Sequence, residues 1–313
     1  MRIGLDVMGG DYATESTILG AIQAQKELAP DTRLVLIGDE NIIIESLEKE
    51  KVDSSLFDIV HTSEVIEMGD HPAKAFSKKK NSSIAVGFQM LKNKEIDGLA
   101  SAGNTGAMLV GIHYSIRTLS GIIRPAIATF LPTFSDKRTL ILDVGLNPDS
   151  KPDVLYQYGI MGSVYAESVW GIRNPKVALL NIGSEESKGN LVIRAAYEMM
   201  NDSKHFNFIG NFEANEFFVT EEADVVVCDG FVGNIVLKEG EAFYKLIRKR
   251  GIKDDFFERF NFENFGGSPI LGASSVVVIG HGISNFKAIK NMILHTQDMA
   301  RVDLSEQIKN AIN

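Results

Sequence analysis

The chain has one cysteine, Cys228, so no internal disulfide can form, and a reducing cytoplasm is the simplest home for it. No apolar run approaches the ~18 residues that span a bilayer. The opening MRIGLDVMGG holds one arginine and a short apolar run ending in glycines. That run is too short for a secretory leader and reads as a first strand. There is no G-x-S-x-G elbow and no C-x-x-C, and the histidines (His61, His71, His113, His205, His281 and His295) lack metal-ligand spacing. No G-x-G-x-x-G follows the first strand, which weakens a dinucleotide-binding reading. Basic residues are outnumbered by acids, 32 to 41. The formal net charge is −9, the wrong sign for a duplex-binding protein, and no nucleic-acid partner is expected. Neither a cofactor nor a metal is expected.

What is present is alternation. Short apolar runs at 3–8, 33–38, 57–62, 98–103, 126–133, 139–145, 176–183, 206–211, 224–230 and 275–280 read as strands, several of them buried on both faces. Helical spacing fills many of the intervals, as in TESTILGAIQAQKELA, with Thr14 as its expected N-cap. The pattern predicts an α/β protein, three-layer α/β/α with a mostly parallel sheet. Its 313 residues suit a single α/β domain or two lobes, with no boundary legible. A short helical, hairpin-like segment is expected at about 241–265.

Ligands of such sheets bind beyond the carboxyl ends of the strands. Six predicted strand ends are rich in glycine and small polar residues: DVMGGD (6–11), SAGNTGA (101–107), DVGLNPDS (143–150), NIGSEESKGN (181–190), CDGFVGN (228–234) and GHGISN (280–285). Any one of them is explained by turn-making and helix capping; six are expected to form one anion-binding rim. In SAGNTGA, Gly103 and Gly106 permit the turn, while Ser101, Asn104 and Thr105 offer hydrogen bonds. Helix capping also accounts for Asn104 and Thr105. Gly9 and Gly10 give the first strand's end a similar geometry. Asp6 and Asp11 would repel a bare phosphate, so they are read as bracing the turn or accepting hydrogen bonds from a partner. Arg124 and Lys188 are the candidate cations. Cys228, at the end of an apolar strand, reads as a buried, inert thiol.

These turns, in this order, resemble the bacterial phosphate acyltransferases of phospholipid synthesis. The resemblance runs through LDVMGGD, KKKNSS, SAGNTGA, RPA, LLNIG, ESKGN, EANE, VVVCDGFVGNIVLK, GGSPILG and GHGISN, nearly the whole chain. It implies a fold like the isocitrate and isopropylmalate dehydrogenases. It also implies transfer of a fatty acyl group from acyl carrier protein to inorganic phosphate, in a homodimer attached peripherally to the cytoplasmic membrane. Ile123, Leu146 and Ser184 depart from the family pattern, and the segment 240–265 is shorter than usual. Its phenylalanines at 256, 257, 260, 262 and 265 are expected to pack on a partner copy.

On this reading phosphate sits on Gly9, Gly10, Ser101, Gly103, Asn104, Thr105 and Gly106. The catalytic set is Asn104, Arg124, Lys188 and Asn234, with Arg124 or Lys188 adding charge and Asn234 donating toward the thioester carbonyl. The acidic carrier would dock on Lys78–Lys80 or Lys245–Arg250. The competing readings are a dehydrogenase on the related fold, needing a nicotinamide cofactor and a divalent metal, and a non-catalytic carrier-binding membrane scaffold.

Overall fold

A computed structural model describes residues 1–312. The chain divides into two compact units. The first comprises Met1–Thr118, Phe262–Pro269 and Ala273–Asp303; the second comprises Leu119–Asn261, Ile270–Gly272 and the chain from Leu304 onward. Each is α/β with a mostly parallel sheet, the fold class that the alternating pattern predicts.

In the first unit, strands β1 (Arg2–Asp6), β2 (Arg33–Gly38), β3 (Asp58–His61), β4 (Gly98–Ser101) and β11 (Val276–Ile279) lie in the order β3-β2-β1-β4-β11, all parallel. The chain steps outward from β1 through β2 to β3, then returns to place β4 on the other side of β1. The sheet therefore reverses direction between β1 and β4, and such a switch point opens a crevice at the strands' carboxyl ends. Ile3, Leu5, Leu34, Leu36, Ile37 and Leu99 are fully buried, as strands covered on both faces require. Helices α1 (Glu15–Gln25), α2 (Glu40–Lys49), α3 (Pro72–Lys78), α4 (Ser83–Lys92), α5 (Thr105–Gly111) and α10 (Phe286–Arg301) complete this unit. The α5 segment runs on through a π-type turn to Ile116.

In the second unit, β5 (Ala126–Pro132), β6 (Arg138–Leu142), β9 (Val225–Val227), β7 (Lys176–Asn181) and β8 (Asn207–Glu213) are neighbours in that order. β5 and β6 form an antiparallel hairpin, and β6, β9, β7 and β8 run parallel. Its helices are α6 (Pro152–Trp170), α7 (Leu191–Asn201), α8 (Gly230–Lys249), α9 (Asp255–Glu258) and α11 (Leu304–Ile312). The core gathers Leu131, Ile141, Ala178, Phe212, Phe217 and Val226.

All ten expected strands form. An eleventh, β10 (Ser268–Leu271), was not expected from the sequence. Its residues Ser268 and Pro269 pair antiparallel with β11 in the first unit, and Ile270 and Leu271 pair antiparallel with β5 in the second. Thr14 does occupy the N-cap position of α1, but its side chain makes no capping bond.

Residues 241–265 hold the end of α8, a turn at Gly251, α9 and a 3-10 turn at Phe262–Asn264. Phe256, Phe257 and Phe260 pack beside Phe134, Phe243 and Phe218 of their own unit, with ring centroids 4.9–6.3 Å apart. This segment thus uses its aromatics to close over the β5–β6 hairpin, where Arg259 also donates to the Ser135 and Lys137 carbonyls.

Candidate active site

The six glycine-rich ends follow β1, β4, β6, β7, β9 and β11. Three belong to each unit, and within a unit the strands concerned are parallel, so the three ends share one edge of its sheet. Four of the six also supply helix caps. The side chains of Asn104, Asn190, Asp229 and Asn285 accept N–H groups at the starts of α5, α7, α8 and α10.

At the β1/β4 switch point of the first unit, Asp6 is fully buried. Its carboxylate accepts the Ser101 hydroxyl at 2.7 Å and the Met8 N–H at 3.1 Å, and Ser83 and the Gly9 N–H add further bonds. Burial pushes its pKa above the ordinary carboxylate range, and these donors oppose that rise. The Ser101 oxygen in turn receives the Gly103 N–H at 3.0 Å. Gly9 lies back to back with Gly103. A Cβ on Gly9 would fall 2.3 Å from Asp6 Oδ2 and 2.7 Å from the Gly103 nitrogen. The two turns pack main chain on main chain, which only glycine permits. Gly10 has a φ of +106°, and beyond it the Asp11 N–H donates to the Gly282 carbonyl at 2.7 Å, tying in the GHGISN loop. Asp6 is thus the brace that the sequence suggests.

Asn104 spends its whole side chain on positioning. Its oxygen caps α5 by accepting the Ala107 N–H at 2.9 Å, and its amide nitrogen reaches the carbonyls of Glu67, Met68 and Asp70 at 3.1–3.2 Å. It clasps the 67–70 loop to the turn, an attachment that nothing in the sequence announces. Pro72 sits against Gly106, where a Cβ would come within 2.4 Å of the proline ring. The N–H groups of Thr105 and Gly106 find no acceptor among the described residues. Two open donors at the start of a helical segment, on a turn locked from below and from the side, can receive an anion.

In the second unit, Asp143 ends β6 as Asp6 ends β1. It is fully buried and accepts the N–H groups of Ile127 (3.0 Å), Leu146 (3.2 Å) and Asn147 (2.6 Å), together with the Asn147 amide (3.0 Å). Burial raises its pKa too, and the same donors pull it back. Asn147 also donates to the Pro125 carbonyl at 2.7 Å, fixing the backbone beside Arg124. The Arg124 side chain is exposed, without an ion-pair partner among the described residues, and close enough to Tyr158 to act on it electrostatically. Gly230 and Gly233 press on this brace. A Cβ on Gly230 would lie 2.8 Å from Asp143 Oδ2, and one on Gly233 would lie 1.9 Å from the Asp143 carbonyl oxygen. The exposed Asn234 carboxamide faces Gly145, whose φ is +132°. Lys188 is half-exposed and 3.8 Å from Glu185, with its loop held by Asn181. Cys228 is buried, its thiol 3.4 Å from the Asp143 carbonyl, and burial pushes its pKa well up.

Structure therefore brings together Gly9, Gly10, Ser101, Gly103, Asn104, Thr105 and Gly106 in the first unit. Arg124 and Lys188 lie in the second, on two different loops, and Asn234 lies there in the first turns of α8. Sequence reasoning passed over Asp143 and Asn147. The available signal was the Leu-Asp-Val triplet that recurs at 5–7 and 142–144. Among the described residues, no group of three or more His, Cys, Asp or Glu side chains is disposed to hold a metal ion, and no helix is long and apolar enough to cross a membrane.

Comparison with known proteins supplies the family. The profile of the fatty acid synthesis protein family matches residues 1–307. The phosphate acyltransferase of Dictyoglomus turgidum is 40% identical over 332 aligned positions, covering 100% of this chain and 98% of the relative. That of Desulfitobacterium hafniense is 41% identical, covering 100% and 98%. Both alignments exceed the 313 residues of the chain, so each relative has internal residues with no counterpart here. Among solved structures, a phosphotransacetylase from Streptococcus pyogenes superposes with a TM-score of 0.70 at 18% identity, covering 96% of this chain and 94% of that one. A 4-hydroxythreonine-4-phosphate dehydrogenase from Salmonella typhimurium gives 0.60 at 12% identity, covering 95% and 99%. At those identities the likeness is one of fold. The chain belongs to the fatty acid synthesis protein family, the family of the phosphate acyltransferases with which it aligns from end to end.

Proposed function

We propose that this protein transfers a fatty acyl group from the thioester of acyl carrier protein to inorganic phosphate, releasing an acyl phosphate for phospholipid synthesis. The observation that carries the proposal is the pair of unclaimed N–H groups, Thr105 and Gly106, on a turn locked at the β1/β4 switch point. A phosphate oxygen bonded to such donors is held but keeps its other oxygens free to attack.

The reaction asks little of side-chain acids and bases. Phosphate near neutral pH already carries a nucleophilic oxyanion. Its oxygen adds to the thioester carbonyl carbon, forming a C–O bond and a tetrahedral oxyanion. Collapse of that oxyanion breaks the C–S bond and releases the carrier thiolate, which takes a proton from water. An ordinary thiol has a pKa of about 8.5, so its thiolate leaves without a strong general acid. What the protein must supply is position, charge and shelter from water. Gly9, Gly10 and the Ser101–Gly106 turn hold phosphate, with Asn104 as a positioning residue. Arg124 and Lys188 add positive charge, and Asn234 donates to the developing oxyanion.

A homodimer touching the cytoplasmic membrane peripherally belongs to the same proposal. On α8, the exposed Phe231, Ile235, Phe243 and Leu246 fall within about 120° of the helix circumference and offer an apolar face for such contacts.

The test is direct. Purified protein, acyl carrier protein thioester and phosphate are mixed, and acyl phosphate is trapped with hydroxylamine as the hydroxamate. Product that requires both protein and phosphate supports the assignment; thioester consumption indifferent to phosphate would overturn it.

A further inference from the structure

We propose that the exposed basic face of α3, centred on Lys74 and Lys78, is where the acidic carrier protein bearing the thioester docks. The inference rests on the reaction proposed above and selects between the two basic clusters of the sequence. On a chain of net charge −9, residues 66–82 carry four lysines against two carboxylates. One of those acids, Asp70, is already neutralised by Lys79 at 2.6 Å. Lys74 and Lys78 stand one helical turn apart on the same face, exposed, with no ion-pair partner among the described residues. Lys80 extends the patch and lies over the Phe76 ring at 5.6 Å. Met68, 42% exposed and tied to the phosphate turn by the Asn104 amide on its carbonyl, adds apolar surface beside the rim. Uncompensated positive charge on the face next to the rim suits an acidic protein surface and steers its approach.

Position decides between the clusters. A carrier delivers its thioester on a prosthetic arm of fixed length, so its docking face must stand near the rim. Pro72, the first residue of α3, touches Gly106 of the phosphate turn, and Lys78 is about 9 Å of helix rise beyond it. The other cluster begins 15 residues after Gly230, which rests on Asp143. Lys245 to Lys249 therefore lie about 23–28 Å along α8 from the rim of their own unit. There, Arg248 is also paired with Glu258 at 2.6 Å.

The experiment uses the full chain and holo acyl carrier protein. Carrier binding is measured by fluorescence anisotropy at low and high salt. Turnover is measured with carrier thioester and with a small acyl-pantetheine thioester that has no protein to dock. Reversing both charges, Lys74→Glu with Lys78→Glu, should weaken carrier binding by about tenfold or more and flatten its salt dependence. Turnover of the small thioester should stay unchanged. The control pair Lys245→Glu with Lys249→Glu should leave carrier binding within about twofold, as exposed charges outside an interface do. Unaltered carrier binding in the α3 variant, or loss of small-thioester turnover along with it, would overturn the assignment. Binding that depends on Lys74 and Lys78 in a protein that makes no acyl phosphate would sink the proposed reaction and still support the docking face.

Discussion

The hydroxyl of Ser101 donates to the Asp6 carboxylate at 2.7 Å, although 95 positions separate the two in the chain. That bond joins the ends of β1 and β4, and the same hydroxyl oxygen anchors Gly103. A buried acid thereby fixes the shape of a turn whose free amides lie four and five residues past the serine.

Ser101→Ala removes one donor from a buried carboxylate and releases the Gly103 N–H. The expected cost is about 1–3 kcal/mol of stability, read by denaturant unfolding. Phosphate KM should rise by about tenfold or more as the turn loosens. An unchanged KM in a folded variant would separate this couple from the anion site.

Asn104→Ala discards a helix cap, worth ~1 kcal/mol, together with three bonds to the 67–70 loop. Hydrogen exchange should show lost protection across residues 67–72 and at the start of α5, and phosphate KM should rise with it. Unchanged exchange and unchanged turnover would remove Asn104 from the positioning machinery.

The glycines should divide by what surrounds them. Gly233→Ala puts a methyl 1.9 Å from the Asp143 carbonyl oxygen, and the main chain has no room to yield. Destabilisation of at least ~3 kcal/mol, at or beyond the top of the usual overpacking range, is expected. Gly240, in the same helix α8, meets nothing within 4 Å. Gly240→Ala should stabilise by about 0.5–1 kcal/mol because alanine loses less backbone freedom on folding. Thermal unfolding of the two variants reads both signs.

Burial raises the pKa of Asp6, so the folded chain holds that proton more tightly than the unfolded chain. Its contribution to stability is greatest below the unfolded value, about 3.9, and is lost as pH rises through the higher folded value. Asp6→Asn removes this dependence. The stability of the unaltered protein relative to the variant should therefore fall as pH rises above the unfolded value, where the unfolded chain has released the proton and the buried acid still holds it. Denaturant unfolding at a series of pH values from about 4 upward checks the slope. A relative stability that rises with pH would mean the donors around Asp6 outweigh its burial.

Asn234→Ala should lower kcat by about 10²–10³ with phosphate KM little changed, as loss of an oxyanion donor does. Cys228→Ser should keep phosphate-dependent turnover, because the thiol is buried and disfavours its thiolate. Abolished turnover in a folded Cys228→Ser protein would point instead to an acyl-enzyme.

Much of this architecture is readable from local pattern. Runs such as RLVLIG and KVALLN are apolar on both faces and bounded by turn residues, and they are β2 and β7. β10 escapes because Pro269 sits inside a four-residue run, where proline argues against a strand, and because it pairs only antiparallel. The glycine-rich ends are legible as a class, since glycine and asparagine announce turns and caps alike. What each polar side chain does there is not. Asn104 reads equally well as a ligand-facing amide and as a clasp, and only the carbonyls of Glu67, Met68 and Asp70 decide the matter. Asp143 looks like any strand-end acid until the four donors around it are seen.

The distance in sequence between Asp6 and Ser101 has a consequence for how the protein comes to be. A turn shaped by partners so far apart cannot assemble locally. Closing that loop is entropically expensive, and the expense must be met before the contact offers any return. On the proposed function, a growing or partly collapsed chain has no anion receptor until β1 and β4 lie side by side, and capture of phosphate at this turn would mark a first unit whose central strands have already found one another.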